Sequence, residues 1–202
     1  MKGTPPFETV DLRKNLARFF NTPFNDPITG KAEKVGNYTW GVYAFFDYEK
    51  EPIYVGQTNE RLRTRIGRHL TNQRTDAVAM SVLDPLEVYE IEVWPLPQFQ
   101  GITKKKNPTG HAAAKLHLNA LEREVYKDAL TKSKFGAILN EVDPPRGTLV
   151  VPLPPSLRAV VVGDEVFKTR SHSDTRICAL RPAHRLPLRA KSSGQAHECP
   201  VA

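Results

Sequence analysis

Apolar and polar positions alternate along this chain in a way that sets out its elements before any other property is considered. Residues 38–46 (YTWGVYAFF) form a nearly unbroken apolar run rich in aromatic residues, which predicts a strand ending at Asp47. Residues 53–56 predict a second strand, with residues 47–51 as the turn between them. Over residues 60–72, Leu62, Ile66 and Leu70 recur four apart and make one apolar row, the mark of a helix, with Asn59 placed to cap it. Residues 86–94 (LEVYEIEVW) alternate apolar and acidic side chains, as a half-buried strand does. Residues 111–130 carry a helical stripe of Leu118, Leu121, Val125 and Ala129, and residues 11–20 (DLRKNLARFF) predict one more helix near the N-terminus. The central order β-β-α-β-α gives an α+β class: a small, three-stranded, mostly antiparallel sheet flanked by helices.

Composition divides the chain further. All six tyrosines and both tryptophans lie between Tyr38 and Tyr126, so the folded centre is expected there. Eight of the 17 prolines fall between Pro144 and Pro200. The reading is an N-terminal extension with one helix (1–36), a central domain (37–142), then a Pro-rich linker and basic, disordered tail (143–202) with a short hairpin at 158–167. The formal charge is +7, of which +4 lies in residues 151–202. A basic chain points toward a polyanionic partner, though many basic proteins bind no nucleic acid. Within the nearly neutral centre the charge is clustered: Arg61, Arg63, Arg65 and Arg68 fall together, as do Lys104, Lys105 and Lys106. No apolar run reaches the ~20 residues of a membrane helix. The N-terminal MKGTPPFETVDLRKN has no apolar signal core, so an intracellular, cytoplasmic location is expected. Two cysteines exclude a disulfide scaffold, and Cys178, His184, His197 and Cys199 lack zinc-ligand spacing. Gly56 is followed by Gln57 and Thr58 without the Lys-Ser/Thr ending of a phosphate-binding loop.

Several side chains stand out against this background. A bulge-free hairpin turning between Tyr48 and Glu49 sets Tyr43 directly opposite Tyr54, either as an aromatic core pair or as two phenols of a site. Arg65 and His69, four apart, border the buried row of their helix; such a pair serves either a surface salt bridge or a site. Glu122 projects from the apolar stripe between Leu118 and Tyr126. A carboxylate there is costly unless it is paired, for instance with Arg65, or binds a metal.

Gly41-Val42-Tyr43 followed by Tyr54-Val55-Gly56 resembles the two-part signature of the GIY-YIG nucleases. The resemblance continues through the helical Arg65 and His69, then a strand, then the helix with Leu121-Glu122-Arg123-Glu124-Val125-Tyr126, and closes on Asn140 in Ile138-Leu139-Asn140. It spans roughly residues 37–142, with a loop at 95–110 longer than a minimal domain carries.

The resemblance implies a divalent-metal-dependent endonuclease that hydrolyses DNA phosphodiesters, with DNA as partner and a homodimer as one route to double-strand cleavage. It implies Tyr43, Tyr54, Arg65, His69, Glu122 and Asn140 as catalytic residues, with one Mg²⁺ or Mn²⁺ per site on Glu122. An ordinary tyrosine has a pKa of about 10, so bringing it to neutrality needs about 4 kcal/mol. Metal, Arg65 and a protonated His69 would have to supply that if Tyr43 is the general base, with Tyr54 orienting the water or touching the phosphate. In the alternative, His69 accepts the proton and the tyrosines position. Arg61, Arg63, Arg68, Lys104, Lys105 and Lys106 are candidate phosphate contacts, and Gln57 and Thr58 stand by position at the mouth of the site. The competing function is a catalytically silent nucleic-acid-binding module that keeps the fold.

Overall fold

The computed structural model describes residues 7–71, 83–138, 140 and 143–170. The chain divides into a unit spanning Met1–Ser171 and a second, His172–Ala202, which lies outside the described residues, as do the two cysteines and the tail read as disordered.

The class is α+β, but the sheet is larger than the expected three strands. Helix α1 (Phe7–Asn21) leads into a two-stranded ribbon of β1 (Pro23–Asn25) and β2 (Ala32–Lys34). The main sheet holds β3 (Gly41–Phe46), β4 (Pro52–Thr58), β5 (Glu90–Pro95) and β6 (Leu157–Val160), in the order β4-β3-β5-β6 and antiparallel throughout. Helix α2 (Leu62–Thr71) follows β4, α3 (Pro108–Lys132) follows β5, and the short α4 (Asp164–Arg170) follows β6. No helix among the described residues is long and apolar enough to cross a membrane.

Every residue of β3 is buried, because β3 is internal to the sheet and both its faces are covered. Tyr43 and Phe45 face the layer made by α1 and α2, where Leu12, Leu16, Leu62, Ile66 and Leu70 complete a core. Val42, Ala44 and Phe46 face α3, where they meet Leu118, Leu121 and Val125. The long apolar run at 42–46 is the sequence trace of this two-sided burial.

The register of the first hairpin corrects the bulge-free expectation. Tyr43 pairs with Gly56, and Tyr54 pairs with Phe45. Two features cause the shift. The turn is a three-residue loop, Tyr48-Glu49-Lys50, in which Lys50 takes φ +64° and the Asp47 amide donates to the Glu51 carbonyl. A bulge then interrupts the ladder between Phe45 and Phe46.

The expected hairpin at 158–167 is a strand followed by a helix. β6 pairs with β5 and covers an edge that would otherwise be free. Arg158 lies between Glu90 (2.6 Å) and Glu92 (3.6 Å), with its guanidinium 3.7 Å from the centroid of the Phe46 ring. Asp11 of α1 accepts the Gly163 amide at 2.7 Å and joins the two ends of this unit. Residues 143–151 have no regular structure but run along α3. Arg123 donates to the carbonyls of Pro145 and Leu149, and Val151 is buried in the α3 core.

Candidate active site

The buried row Leu62, Ile66 and Leu70 fixes the roll of α2 against the sheet. Arg65 and His69, four apart, are thereby set on the flank that overhangs the aromatic side chains of β3 and β4. Tyr43 is fully buried there. Arg65 Nε donates to the Tyr43 hydroxyl at 3.3 Å, and His69 Nε2 lies 3.4 Å from the same oxygen. With its oxygen accepting from Arg65, the phenol has its own proton to give to a neutral His69.

Tyr54 completes the patch. Its ring stacks on Tyr43 at 6.2 Å and 28°, on Phe45 at 5.6 Å, and meets His69 at 5.5 Å. The two tyrosines are diagonal rather than opposite, yet their rings meet because Gly56 lies between them without a side chain. A Cβ at Gly56 would fall 2.8 Å from Tyr43 Cζ, Tyr43 Oη and Tyr54 Cε1. The second glycine of the paired tripeptides is therefore a steric requirement of the phenol pair. Gly41 has a different role: a Cβ there would fall 2.9 Å from the Trp94 carbonyl oxygen on the adjacent strand.

Burial pushes the Tyr43 phenol well above the ordinary tyrosine value, and Tyr54 adds to this, while the Arg65 guanidinium works the other way and only partly offsets it. The Glu122 carboxylate also raises Tyr43, as the least of these influences.

Glu122 approaches from the other layer. Its helix α3 packs on the sheet face opposite the phenols, and its carboxylate meets β4, the edge strand, through Gln57. Gln57 Nε2 donates to Glu122 Oε2 at 2.8 Å and to Asn119 Oδ1 at 3.0 Å, while Gln57 Oε1 accepts from Lys115 Nζ at 3.0 Å. Burial raises the Glu122 carboxyl to about 7, against the lowering effects of Lys115 and Gln57. Burial also lowers the Lys115 ammonium, with Glu122 opposing. Tyr43 and Glu122 thus belong to opposite layers of the sheet, linked only by the small raising effect of the carboxylate on the phenol.

Asn140 binds that same edge. Its amide donates to the Val55 carbonyl at 2.7 Å and accepts the Val55 N–H at 3.0 Å. It pairs like one residue of an absent neighbouring strand and ties the segment after α3 beside Tyr54 and Gly56.

The remaining expected contacts are distributed differently. Thr58 is buried and closes a turn, donating to the Glu60 carbonyl and accepting its N–H. Arg63 donates to Phe20 O and Asn21 Oδ1 at the end of α1, and Arg68 pairs with Glu60. Arg61 is exposed at the start of α2, and Lys104, Lys105 and Lys106 are exposed on the loop before α3. Sequence reasoning passed over Lys115 and Asn119. Their signal was present, since both precede Glu122 on one face of α3, at i−7 and i−3.

Among the described residues no group of three or more His, Cys, Asp or Glu side chains could hold a metal. A single carboxylate with one oxygen bonded to Gln57 suits a hard cation that keeps most of its water, as Mg²⁺ does, and does not suit a protein-caged ion such as structural zinc. Glu122 therefore fits a hydrated divalent ion such as Mg²⁺.

The site thus combines two layers on a small antiparallel sheet, an aromatic-guanidinium-imidazole cluster and a carboxylate near the sheet edge. Residues 39–109 match the family model of the GIY-YIG catalytic domain, a family whose members are generally endonucleases that use divalent metal ions. The match takes in Tyr43, Tyr54, Arg65 and His69, and ends before Glu122 and Asn140. No curated protein and no solved structure matches the chain.

Proposed function

We propose that this protein is an endonuclease that hydrolyses DNA phosphodiester bonds with one divalent ion, Mg²⁺ or Mn²⁺, held by Glu122. The observation that carries the reading is the Tyr43 hydroxyl, fixed between Arg65 Nε and His69 Nε2 above the bare backbone of Gly56. A buried phenol has no structural need for both a guanidinium and an imidazole on one oxygen.

The raised pKa of Tyr43 favours one of the two bases that the residues suggest. A phenolate there would cost more than the ~4 kcal/mol of an ordinary tyrosine at neutral pH. An ordinary imidazole has a pKa of about 6.5, which makes a histidine a better sink for a proton than a tyrosine. Tyr43 therefore passes its proton to His69 Nε2 as it takes one from the attacking water, so no free phenolate forms. Arg65 places its fork of donors where a phosphate gains charge. Tyr54 forms the wall against which the phosphate and water are oriented, and Asn140 holds that wall by pairing with Val55. A divalent ion at Glu122, when bound, supplies charge neutralisation to the phosphate and leaving oxygen. Lys115, Asn119 and Gln57 keep the carboxylate oriented.

The test is supercoiled plasmid incubated with Mg²⁺, Mn²⁺ or EDTA. Metal-dependent nicking that disappears in Glu122→Ala and Arg65→Ala is expected. Binding of the plasmid without nicking in any divalent metal refutes the enzyme and leaves a binding module.

A further inference from the structure

Helix α2 has a second polar flank that the hydrolytic site does not use. Rolling away from Arg65 and His69, its solvent side presents Arg63, Thr64, Gly67, Arg68 and Thr71, and across a groove of about 390 Å³ α1 presents Arg13. No acidic side chain among the described residues lines this groove. Two of its three guanidiniums are held in place beforehand. Arg63 bonds to Phe20 O (3.4 Å) and Asn21 Oδ1 (3.0 Å) and lies over the Phe20 ring at 5.9 Å, and Arg68 is paired with Glu60 at the rim. Held guanidiniums lose less freedom when they bind an anion.

Gly67 is the informative residue. It sits mid-helix, where glycine is a poorer helix former than alanine. No close packing requires it, since a Cβ built there meets nothing within 4 Å. It leaves the groove floor flat between the arginines, which is what close approach of another backbone needs. Arg68 stands one helical turn from Arg65, so the groove and the hydrolytic site lie on one continuous basic helix surface.

We infer that the α1–α2 groove, lined by Arg13, Arg63 and Arg68 over Gly67, is a binding track for the backbone phosphates of duplex DNA leading to Arg65. The inference rests on the proposed nuclease reading only in taking the bound strand to be the one delivered to Arg65. The groove meets phosphate oxygens rather than base edges, so the track adds affinity without reading sequence. It lies partly on α1, outside the stretch that matches the family model.

The experiment uses the full chain in EDTA, where cleavage is silent, with a fluorescent 20-base-pair DNA duplex and anisotropy over a salt series. Removing one phosphate-binding cation makes the slope of log K against log salt shallower by about 0.9. Arg13→Ala is expected to change it by about that amount and Arg13→Lys to restore it. Gly67→Glu has open space and better helix propensity, so its melting temperature should equal or exceed that of the wild type while duplex affinity falls at least about tenfold. Wild-type affinity and slope in both Arg13→Ala and Gly67→Glu overturn the track. So does no duplex binding by the wild type at low salt, or tighter binding of an RNA duplex of the same sequence. Weakened binding in the variants without plasmid nicking by the wild type upholds the track and fails the nuclease reading. Nicking with unaltered binding in the variants does the reverse.

Discussion

Gly56→Ala is the sharpest perturbation the site allows. It adds one methyl group at a position where two ring carbons of Tyr43 and Tyr54 and the Tyr43 hydroxyl oxygen would lie 2.8 Å away. Carbon atoms at ordinary van der Waals separation sit about 3.5–4.0 Å apart, so the rings must withdraw by about 1 Å or the strand must shift. Overpacking of this kind costs about 1–3 kcal/mol, and at about 2–4 °C per kcal/mol the melting temperature falls by roughly 2–12 °C. The rate suffers more, since a 1 Å misplacement of a reacting group costs about 100-fold. Gly41→Ala is the companion variant: its Cβ meets the Trp94 carbonyl at 2.9 Å, a backbone atom that cannot swing aside, and none of its three nearest atoms belongs to a phenol. Plasmid nicking at fixed Mg²⁺ with parallel thermal melts separates the two. Gly56→Ala should lose far more rate per degree of stability than Gly41→Ala. A Gly56→Ala protein that nicks within about threefold of the wild type would refute the argument that the bare backbone exists for the phenols.

Other consequences follow from the same geometry. Burial holds Glu122 near 7 in the folded protein against an ordinary 4.5, so between those values the folded state binds more protons than the unfolded one and this group's contribution to stability falls as pH rises. Glu122→Gln removes that cost of about 3 kcal/mol, and should melt above the wild type at pH 8 but not at pH 4, while abolishing nicking; equal melting curves at both pH values would contradict it. For the same reason Mn²⁺ affinity, followed by calorimetry, should rise about tenfold per pH unit below 7 and level off above it. Tyr43→Phe and His69→Ala interrupt one proton path, so in single-turnover nicking the double variant should be no slower than the worse single variant; multiplying losses would argue for separate roles. Asn140→Ala removes two backbone bonds, each worth about 1 kcal/mol, and should raise hydrogen exchange selectively at the Val55 amide, while unchanged protection there would show the edge held by other means.

Much of the site was legible because its signals are local. The four-residue rows on α2 placed Arg65 and His69 beside the core, and a carboxylate on the α3 stripe marked Glu122. What escaped notice was set by distant or irregular structure. The Tyr43–Gly56 register depends on a bulge between Phe45 and Phe46 and on the positive φ of Lys50, neither of which any residue pattern announces. β6 pairs Val160 with Glu90, and its run of residues 158–167 reads equally as two short strands until Asp11 takes the Gly163 amide and a helix starts. The Asp-Pro-Ile-Thr-Gly turn of the β1–β2 ribbon did carry a signal, with Asp26 accepting from Ile28 and Thr29 and Gly30 at φ +68°, but strands of three residues give no period to find. That Glu122 meets the sheet on the face opposite the phenols follows from the packing of α3, which no spacing within the helix encodes.

In the proposed mechanism a carboxylate from one layer and phenols from the other serve a single centre at the β4 edge. Crystals of the full chain grown with Mn²⁺ and measured at the manganese absorption edge test this directly. The proposed mechanism requires the principal anomalous peak to lie at the Glu122 carboxylate on the side open to Tyr43, Tyr54 and Arg65. A peak elsewhere, or at Glu122 but screened from the phenols by the sheet, would contradict it.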